Sequence, residues 1–302
     1  MVSVAERIKQ LKKEKNAVIL AHNYTSPEVQ DLADFVGDSL GLSVEAARTA
    51  ADVIVFCGVS FMGETAKILS PVKTVILPEP DAHCAMAAAC TGDQLKEFRA
   101  SNSECIIVGY VNSTADAKKE MDICCTSSNV VSIVGSFEGK DVLLVPDMNL
   151  GAYAASQTGM RVRLWNGFCP VHHGITAAQV RNAKQKHPDA FVMAHPECRE
   201  EVLVLADHVG STESMIKFSK ASPERKFIVL TEIGMKHRLE KENPGKTFIF
   251  LDHAVCTTMK MVSPESILYS LENGTGEIVL SEDVLKGAEG PVMRMIGQTP
   301  KQ

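Results

Sequence analysis

The sequence predicts an α/β protein of three small three-layer αβα domains with parallel sheets, set with pseudo-threefold symmetry around one central cavity. Three observations predict it. Short, almost wholly apolar runs alternate with helical stretches along the chain, the pattern of parallel strands covered on both faces. Three of these runs end in matching polar clusters: Ala17–Tyr24, Cys105–Asn112 and Ala190–Glu197. In each stretch a later run leads into a cysteine: Cys84, Cys169 and Cys256.

The spacing makes these one repeat. His22, Tyr110 and His195 lie 88 and 85 residues apart, and the three cysteines lie 85 and 87 apart. Two independent landmarks with one period mark a repeated unit. The second runs are Val53–Phe56, Val142–Val145 and the weaker stretch 202–209, which reads as a helix plus a short strand. The third runs are Lys73–Pro78, Arg161–Trp165 and Lys246–Leu251. Each unit therefore reads strand–helix–strand–helix–strand, with helical patterns such as Ser43–Arg48 and Thr176–Arg181 between. The expected boundaries are 1–83, with 258–302 packing back on it, then 84–168, then 169–257. Functional groups of open α/β sheets gather beyond the carboxyl ends of the strands. Three such edges facing one axis would place the polar clusters and the cysteines in a single cavity.

Composition narrows the function. The chain has 302 residues, room for two or three compact units, and 45% of them are hydrophobic, enough for buried cores. A net charge of −6 leaves no basic stripe to neutralise phosphates, which argues against a nucleic-acid partner. No apolar run reaches the roughly 18–20 residues of a membrane span. The start, Met1–Arg7, reads as the beginning of a helix rather than a signal peptide. The expected location is the cytoplasm. The mixed-charge stretches 9–15 and 238–243 read as solvated helix surface.

Nine cysteines are many for such a chain, and their number is odd. A disulfide framework is therefore not expected in a reducing compartment. Cys57 and Cys105 sit in apolar runs and read as small buried hydrophobes. No C-x2-C pair occurs, so a zinc ribbon or ferredoxin-type ligand run is absent. Any cysteine-held metal must draw its ligands from distant parts of the chain. The repeat points to Cys84, Cys169 and Cys256 as three ligands of one iron–sulfur cluster. Cys90 and the Cys124–Cys125 pair are rivals that fall outside the repeat. A [4Fe–4S] cluster usually has four thiolates. With three, one iron stays open to bind substrate as a Lewis acid.

Other groups have spacing that suits an anionic substrate. Ser/Thr/Gly clusters precede helical patterns at 58–65, 125–129 and 210–214, where hydroxyls and free backbone N–H groups suit phosphate or carboxylate. Each cluster singly also reads as plain helix capping. The cluster at 58–65 follows the second strand of the first unit, and 210–214 stands at the equivalent place in the third. No Walker A or G-x-G-x-x-G pattern occurs. His22 and Tyr24 lie two apart at a strand end, His172 and His173 stand beside Cys169, and His195 precedes Glu197 by two. A carboxylate in a dry cavity can exchange protons near neutrality. The Asp252–His253 pair reads as orienting the Cys256 loop.

Together these residues resemble a known family. Ala21-His22-Asn23-Tyr24, Asp38-Ser39, Gly109-Tyr110-Val111-Asn112-Ser113, Cys169-x-Val171-His172, His195-Pro196-Glu197-Cys198, Gly210-Ser211-Thr212 and Cys256-x-Thr258-Met259-Lys260-Met261 resemble quinolinate synthase, over about residues 15–262. The resemblance implies synthesis of quinolinate, the pyridine precursor of NAD, from iminoaspartate and dihydroxyacetone phosphate. It implies an oxygen-sensitive [4Fe–4S] cluster held by Cys84, Cys169 and Cys256. It implies substrate handling by His22 and Tyr24, and substrate binding by Ser39, Tyr110, Asn112 and Ser127. His172, His195, Glu197, Ser211 and Thr212 match the remaining site positions, with Glu197 as acid/base and His195 beside it. An upstream L-aspartate-oxidising enzyme is implied as the source of the imine. In one respect the chain departs: some members carry a C-x2-C-x2-C run near the last ligand, whereas Cys256 stands alone within 254–258. The competing readings are a dehydratase of the aconitase kind, sharing the open-iron logic but acting on a hydroxy acid alone and needing no phosphate site, an iron–sulfur sensor or electron carrier, and an α/β protein with unrelated thiols.

Overall fold

The structure, a computed structural model, describes residues 2–297. Residue 1 and residues 298–302, the ends of the first expected unit and of its returning tail, lie outside the described residues. Three parallel sheets form the frame. The first contains β1 (Ala17–His22), β2 (Phe35–Gly37), β3 (Val53–Cys57) and β4 (Thr74–Ile76) in the order β2-β1-β3-β4. The second contains β5 (Ile106–Tyr110), β6 (Ile123–Cys125), β7 (Val142–Val145) and β8 (Val162–Leu164), ordered β6-β5-β7-β8. The third contains β9 (Phe191–Ala194), β10 (His208–Val209), β11 (Lys226–Leu230) and β12 (Thr247–Phe250), ordered β10-β9-β11-β12. Every strand pair within the sheets is parallel. The α/β architecture and its threefold repeat are as the sequence predicts.

The repeat is richer than the sequence reading. Each sheet has four strands, not three. The strands missed are β2, β6 and, in the third unit, β11; β2 and β6 span only three residues each at a sheet edge, too short for an apolar pattern to register. In the third unit the stretch 202–209 supplies a short helix, Glu200–Leu203, and the edge strand β10. The central partner of β9 is β11, which pairs Phe227 to Phe191 and Leu230 to Ala194. This correction realigns the helix starts. Gly210-Ser211 follows β10 and Thr126 follows β6, so their counterpart is Asp38 after β2, not Gly58 after β3. The counterparts of Gly58-Val59 are Pro146-Asp147 after β7 and Thr231-Glu232 after β11. In all three sheets the strand order reverses between the first and third strands, the point where open sheets bind ligands.

The strands are apolar because both faces are covered. Val142–Val145 is buried at every residue, as is most of β3, β5, β9 and β11. One continuous core joins the first two sheets, running from Ile54 and Phe56 to Ile107, Ile123 and Leu144. The third sheet keeps its own cores on its two faces, one around Val192 and Ile228, the other around Met193 and Phe227. The helix Pro264–Asn273 packs on the helix Val4–Glu14, and residue 276 bonds Leu77 beside β4. The last helix, Glu282–Gly297, lies against β6 and the helices Ser60–Leu69 and Ala115–Lys118. No helix among the described residues is long and apolar enough to cross a membrane.

A buried lysine pins the first two units together. Lys118 has no exposed surface. Its Nζ donates to Ser113 O at 2.6 Å, Thr65 Oγ1 at 2.9 Å and Phe61 O at 3.3 Å. Burial pushes its pKa down to about 8, with Glu64 opposing. Lys118→Met keeps the volume but removes three buried hydrogen bonds, and is expected to lower stability by about 2–4 kcal/mol. The ammonium is penalised in the fold below pH 8 and the penalty is relieved as pH rises from 8 towards the ordinary 10.5. The wild type's margin over Lys118→Met therefore widens across that window. Urea unfolding of both proteins at pH 7 and pH 9 reads this; a margin that narrows at pH 9 contradicts it.

Candidate active site

The carboxyl ends of the three sheets surround one cavity of about 230 Å³. His22, Tyr24 and Ser39 reach it from the first unit, Tyr110, Asn112 and Ser127 from the second, and His172, His195, Glu197 and Thr212 from the third. Cys84, Cys169 and Cys256 line the same cavity. Ser211 stands apart: its Oγ accepts from Ser214 N at 3.3 Å, capping the helix Thr212–Ala221, and bonds Ser128 Oγ at 2.9 Å. His173 turns away, stacking on Phe168 and bonding Asn149. Asp252 and His253 are exposed. Cys90, Cys124 and Cys125 are buried elsewhere in the first core, so the cavity holds no fourth cysteine among the described residues.

The three thiols lie on loops held by different means. Cys169 precedes the short helix Pro170–His173, and its backbone N–H donates to Asp147 Oδ2 at 3.2 Å. Asp147 also accepts from Asn149 N and Leu150 N. Cys256 N–H donates to Glu232 Oε1 at 3.1 Å, and Glu232 also binds Gly234 N and Lys260 Nζ. Asp147 and Glu232 occupy equivalent places two residues beyond β7 and β11. The first unit has Val59 there. Its cysteine loop is instead tied through Ser60 N to Ala82 O at 2.8 Å and through His83 to Ser60. Burial pushes the Cys84 thiol up to about 12, with Cys256 adding to it, and burial, Glu197 and Cys84 raise the Cys169 thiol well above its ordinary value. These thiols lie close enough to repel one another as thiolates, and no lysine or arginine lines the cavity to compensate them. That donor set fits a metal centre, whose own charge permits the thiolate form. A tighter group, Cys169 Sγ, His172 and Glu197, also has its donor atoms within 4.8 Å of one another.

The imidazoles and the carboxylate form one network. Tyr110 Oη donates to Glu197 Oε1 at 2.5 Å, and His172 Nδ1 lies 2.7 Å from Oε2. Burial alone would raise the Glu197 pKa. The imidazoles of His172 and His195 and the two hydrogen bonds outweigh it and hold the carboxyl below its usual range. In the first and third units one local motif fixes a histidine. His22 Nδ1 accepts from Tyr24 N at 3.2 Å, and His195 Nδ1 accepts from Glu197 N at 3.4 Å. Burial pushes both imidazoles down to about 3, so they are neutral at pH 7. With Nδ1 accepting, the proton sits on Nε2, and each ring is a neutral donor. His172 and His195 stack at 4.6 Å.

The site is knitted across units. Asn23 Nδ2 donates to Thr212 Oγ1 at 2.8 Å, and Ser128 Oγ donates to Asp38 Oδ2 at 2.8 Å. Lys260 Nζ reaches Tyr24 O at 2.5 Å and Glu232. This approach requires glycine at 234, where a Cβ would lie 2.8 Å from the Tyr24 carbonyl carbon. Arg238, expected on a solvated helix end, is largely buried and pairs with Glu213, Asn23 and Glu242. Glu242 is its i+4 neighbour, but Glu213 and Asn23 come from other elements that no local charge pattern reveals. Anion-binding features remain in the cavity. Ser39 and Thr212 open ten-residue helices, whose free N–H groups favour negative charge. Asn112 Oδ1 is buried without a hydrogen-bond partner, an acceptor that a ligand donor would satisfy. Sequence reasoning named Asp38 only within a motif, without a role, and missed Asp147, Thr231 and Glu232. The last two follow β11, and recognising that strand would have found them.

Comparison with known proteins agrees with this geometry. The family described as "NadA: Quinolinate synthetase A protein" matches residues 6–297. The chain is 51% identical over 292 residues to a quinolinate synthase of Methanosarcina barkeri, covering 96% of each chain. It is 48% identical over 297 residues to one of Dehalococcoides mccartyi, covering 98% of each. With one of Geobacter metallireducens it shares 47% over 295 residues, 97% of each. Near-complete coverage at this identity, on a frame whose three sheets aim their site residues at one cavity, makes the chain a member of the quinolinate synthase family of enzymes.

Proposed function

We propose that the protein condenses iminoaspartate with dihydroxyacetone phosphate to give quinolinate, in de novo NAD biosynthesis. Atom balance requires the release of one phosphate and two waters. The observation that carries this reading is the arrival of three cysteines, from equivalent points of three units, at one cavity that also holds Glu197 and two neutral imidazoles. Cys84, Cys169 and Cys256 hold a [4Fe–4S] cluster. When bound, it supplies a Lewis-acidic iron able to polarise a carbonyl or hydroxyl oxygen.

The protein's own groups do the rest. Ser39, Ser127 and Thr212, with the helix starts of Ser39 and Thr212, bind carboxylate and phosphate oxygens without a buried cation. Asn112 Oδ1 accepts a donor from the substrate, such as the imine N–H. His22 and His195 offer Nε2–H to oxygens that gain charge as bonds form. Glu197, held by Tyr110 and His172, takes and returns the protons of enolisation and dehydration. Enclosure among three units excludes water, which protects a hydrolysable imine. That imine must be delivered fresh, so an enzyme oxidising L-aspartate works upstream. The cysteines are unpaired, which suits the reducing cytoplasm. The test is anaerobic assay of the iron-loaded protein with dihydroxyacetone phosphate and iminoaspartate generated in place, with quinolinate quantified by chromatography. Quinolinate that depends on both substrates is the expected result. Product from hydroxy-acid dehydration alone, or none, overturns the reading.

A further inference from the structure

Arg238 lies one layer behind the cavity, on the helix Met235–Glu242, and does not line it. Each of its guanidinium nitrogens is engaged. Nε donates to Glu242 Oε1 at 2.6 Å and Nη2 to Glu213 Oε2 at 3.2 Å. Nη1 donates to Glu213 Oε1 and, at 2.9 Å, to Asn23 Oδ1. Glu242 also pairs with Lys220, so two cations face two carboxylates and the cluster is close to neutral. What it passes to the cavity is therefore hydrogen-bond direction rather than charge. Asn23 is fully buried between His22 and Tyr24, which both line the cavity while Asn23 does not. Its backbone is fixed: N–H donates to Gly37 O at 3.1 Å, and the carbonyl accepts from Gln30 Nε2 at 3.1 Å.

The donor count gives the side chain one orientation. A guanidinium only donates, so the Asn23 atom facing it is the carbonyl oxygen. Nδ2 then faces the other way and donates to Thr212 Oγ1 at 2.8 Å. A hydroxyl that accepts there keeps its own proton for another partner. Among the described residues no protein group takes that proton. Thr212 lines the cavity at the start of a ten-residue helix, where free N–H groups also favour negative charge.

We propose that Arg238 is a positioning residue for the anion site: through Asn23 it reserves the Thr212 hydroxyl proton for a carboxylate or phosphate oxygen of the ligand. The proposal rests on the reading above that Thr212 binds such an oxygen. Without the guanidinium the Asn23 amide is free to turn over. Its oxygen then takes the Thr212 proton, and the cavity loses a donor. The arrangement also crosses units, because Asn23 ends the first strand of the first unit while Arg238 and Thr212 belong to the third. The anion site is complete only when those two units are packed together.

The test is a double-mutant cycle between Arg238→Met/Glu213→Gln, which removes one charge of each sign, and Thr212→Val. Anaerobic calorimetry of the iron-loaded proteins gives Kd for two probes, quinolinate for the carboxylate and dihydroxyacetone phosphate for the phosphate. In Arg238→Met/Glu213→Gln one probe is expected to bind about 5-fold more weakly, the worth of one ordinary hydrogen bond. The probe that responds identifies the oxygen that Thr212 holds. In the Thr212→Val background the same change is expected to cost nothing more. In turnover the loss appears as a raised KM at wild-type kcat. Equal losses in both backgrounds, no loss in either, or a fall in kcat at unchanged KM overturns the proposal. Asn23→Asp is a second variant that keeps Arg238 and its partners. Its carboxylate still accepts from Arg238 but offers Thr212 only an acceptor, so binding of the same probe is expected to weaken by more than about 5-fold. A wild-type Kd in folded Asn23→Asp protein overturns the proposal. Failure of the wider reading looks different. Binding of both probes that ignores Thr212→Val removes Thr212 from the anion site. A loss in Thr212→Val that Arg238→Met/Glu213→Gln does not share removes only the role given to Arg238. A protein that shows the expected cycle but makes no quinolinate keeps that role and loses the reaction.

Discussion

Glu197→Gln is expected to lower kcat by about 10²–10⁴-fold, the usual contribution of a general acid–base group, with iron per chain at the wild-type level. The substitution is nearly isosteric, and the fold gives reason to expect that it is tolerated. Tyr110 Oη can still donate to the amide oxygen, so the strongest contact to the second unit survives. What the amide cannot do is accept the His172 Nδ1 proton at Oε2, now an NH₂ group. His172 is left facing a donor, and the negative charge beside its ring is gone. Anaerobic steady-state kinetics with iron quantification checks this. A variant with intact cluster and wild-type kcat removes Glu197 from the mechanism.

Cys169→Ser is expected to abolish quinolinate formation altogether, and Cys84→Ser and Cys256→Ser likewise. A serine alkoxide is far harder to form than a thiolate and is a poor match for iron in a sulfur-ligated cluster. The effect should be confined to these positions. Cys57→Ser and Cys124→Ser alter fully buried thiols away from the cavity and are expected to lower stability while the folded fraction keeps its iron. Cys169 merits the first test because it is tied at both backbone and sulfur to other site residues. Asp147 holds its backbone and His172 Nδ1 lies 3.2 Å from its sulfur. A folded Cys169→Ser protein with wild-type turnover contradicts the ligand assignment.

The parts of the fold legible in the sequence are those repeated in register. The cysteines and the ends of β1, β5 and β9 recur because three units of like length place them at like positions, and position beyond a parallel strand is a strong constraint. The edge strands β2 and β6 are illegible for a physical reason: three residues paired on one side carry no hydrophobic period. Losing β11 had a larger consequence, because Thr231 and Glu232 stand at its end. Arg238 was misjudged for a different reason. A charge run on a helix looks solvated until a partner from another unit turns it inward, and Asn23 is 215 residues away. The second half of the candidate site is of this kind. Tyr110 and Glu197 meet across 87 residues, and Tyr24 and Thr231 across 207. Sequence spacing can nominate each such residue, but only packing of the three units shows which atoms meet.

The central claim is that three equivalent cysteines hold one cluster with an iron left open. Its most direct measurement is iron and sulfide per chain in anaerobically prepared wild type and in the Cys84→Ser, Cys169→Ser and Cys256→Ser variants. The account predicts about four irons and four sulfides in the wild type, as a [4Fe–4S] centre requires, and loss of the cluster in every single variant. Retention of the full iron and sulfide content in all three variants contradicts it.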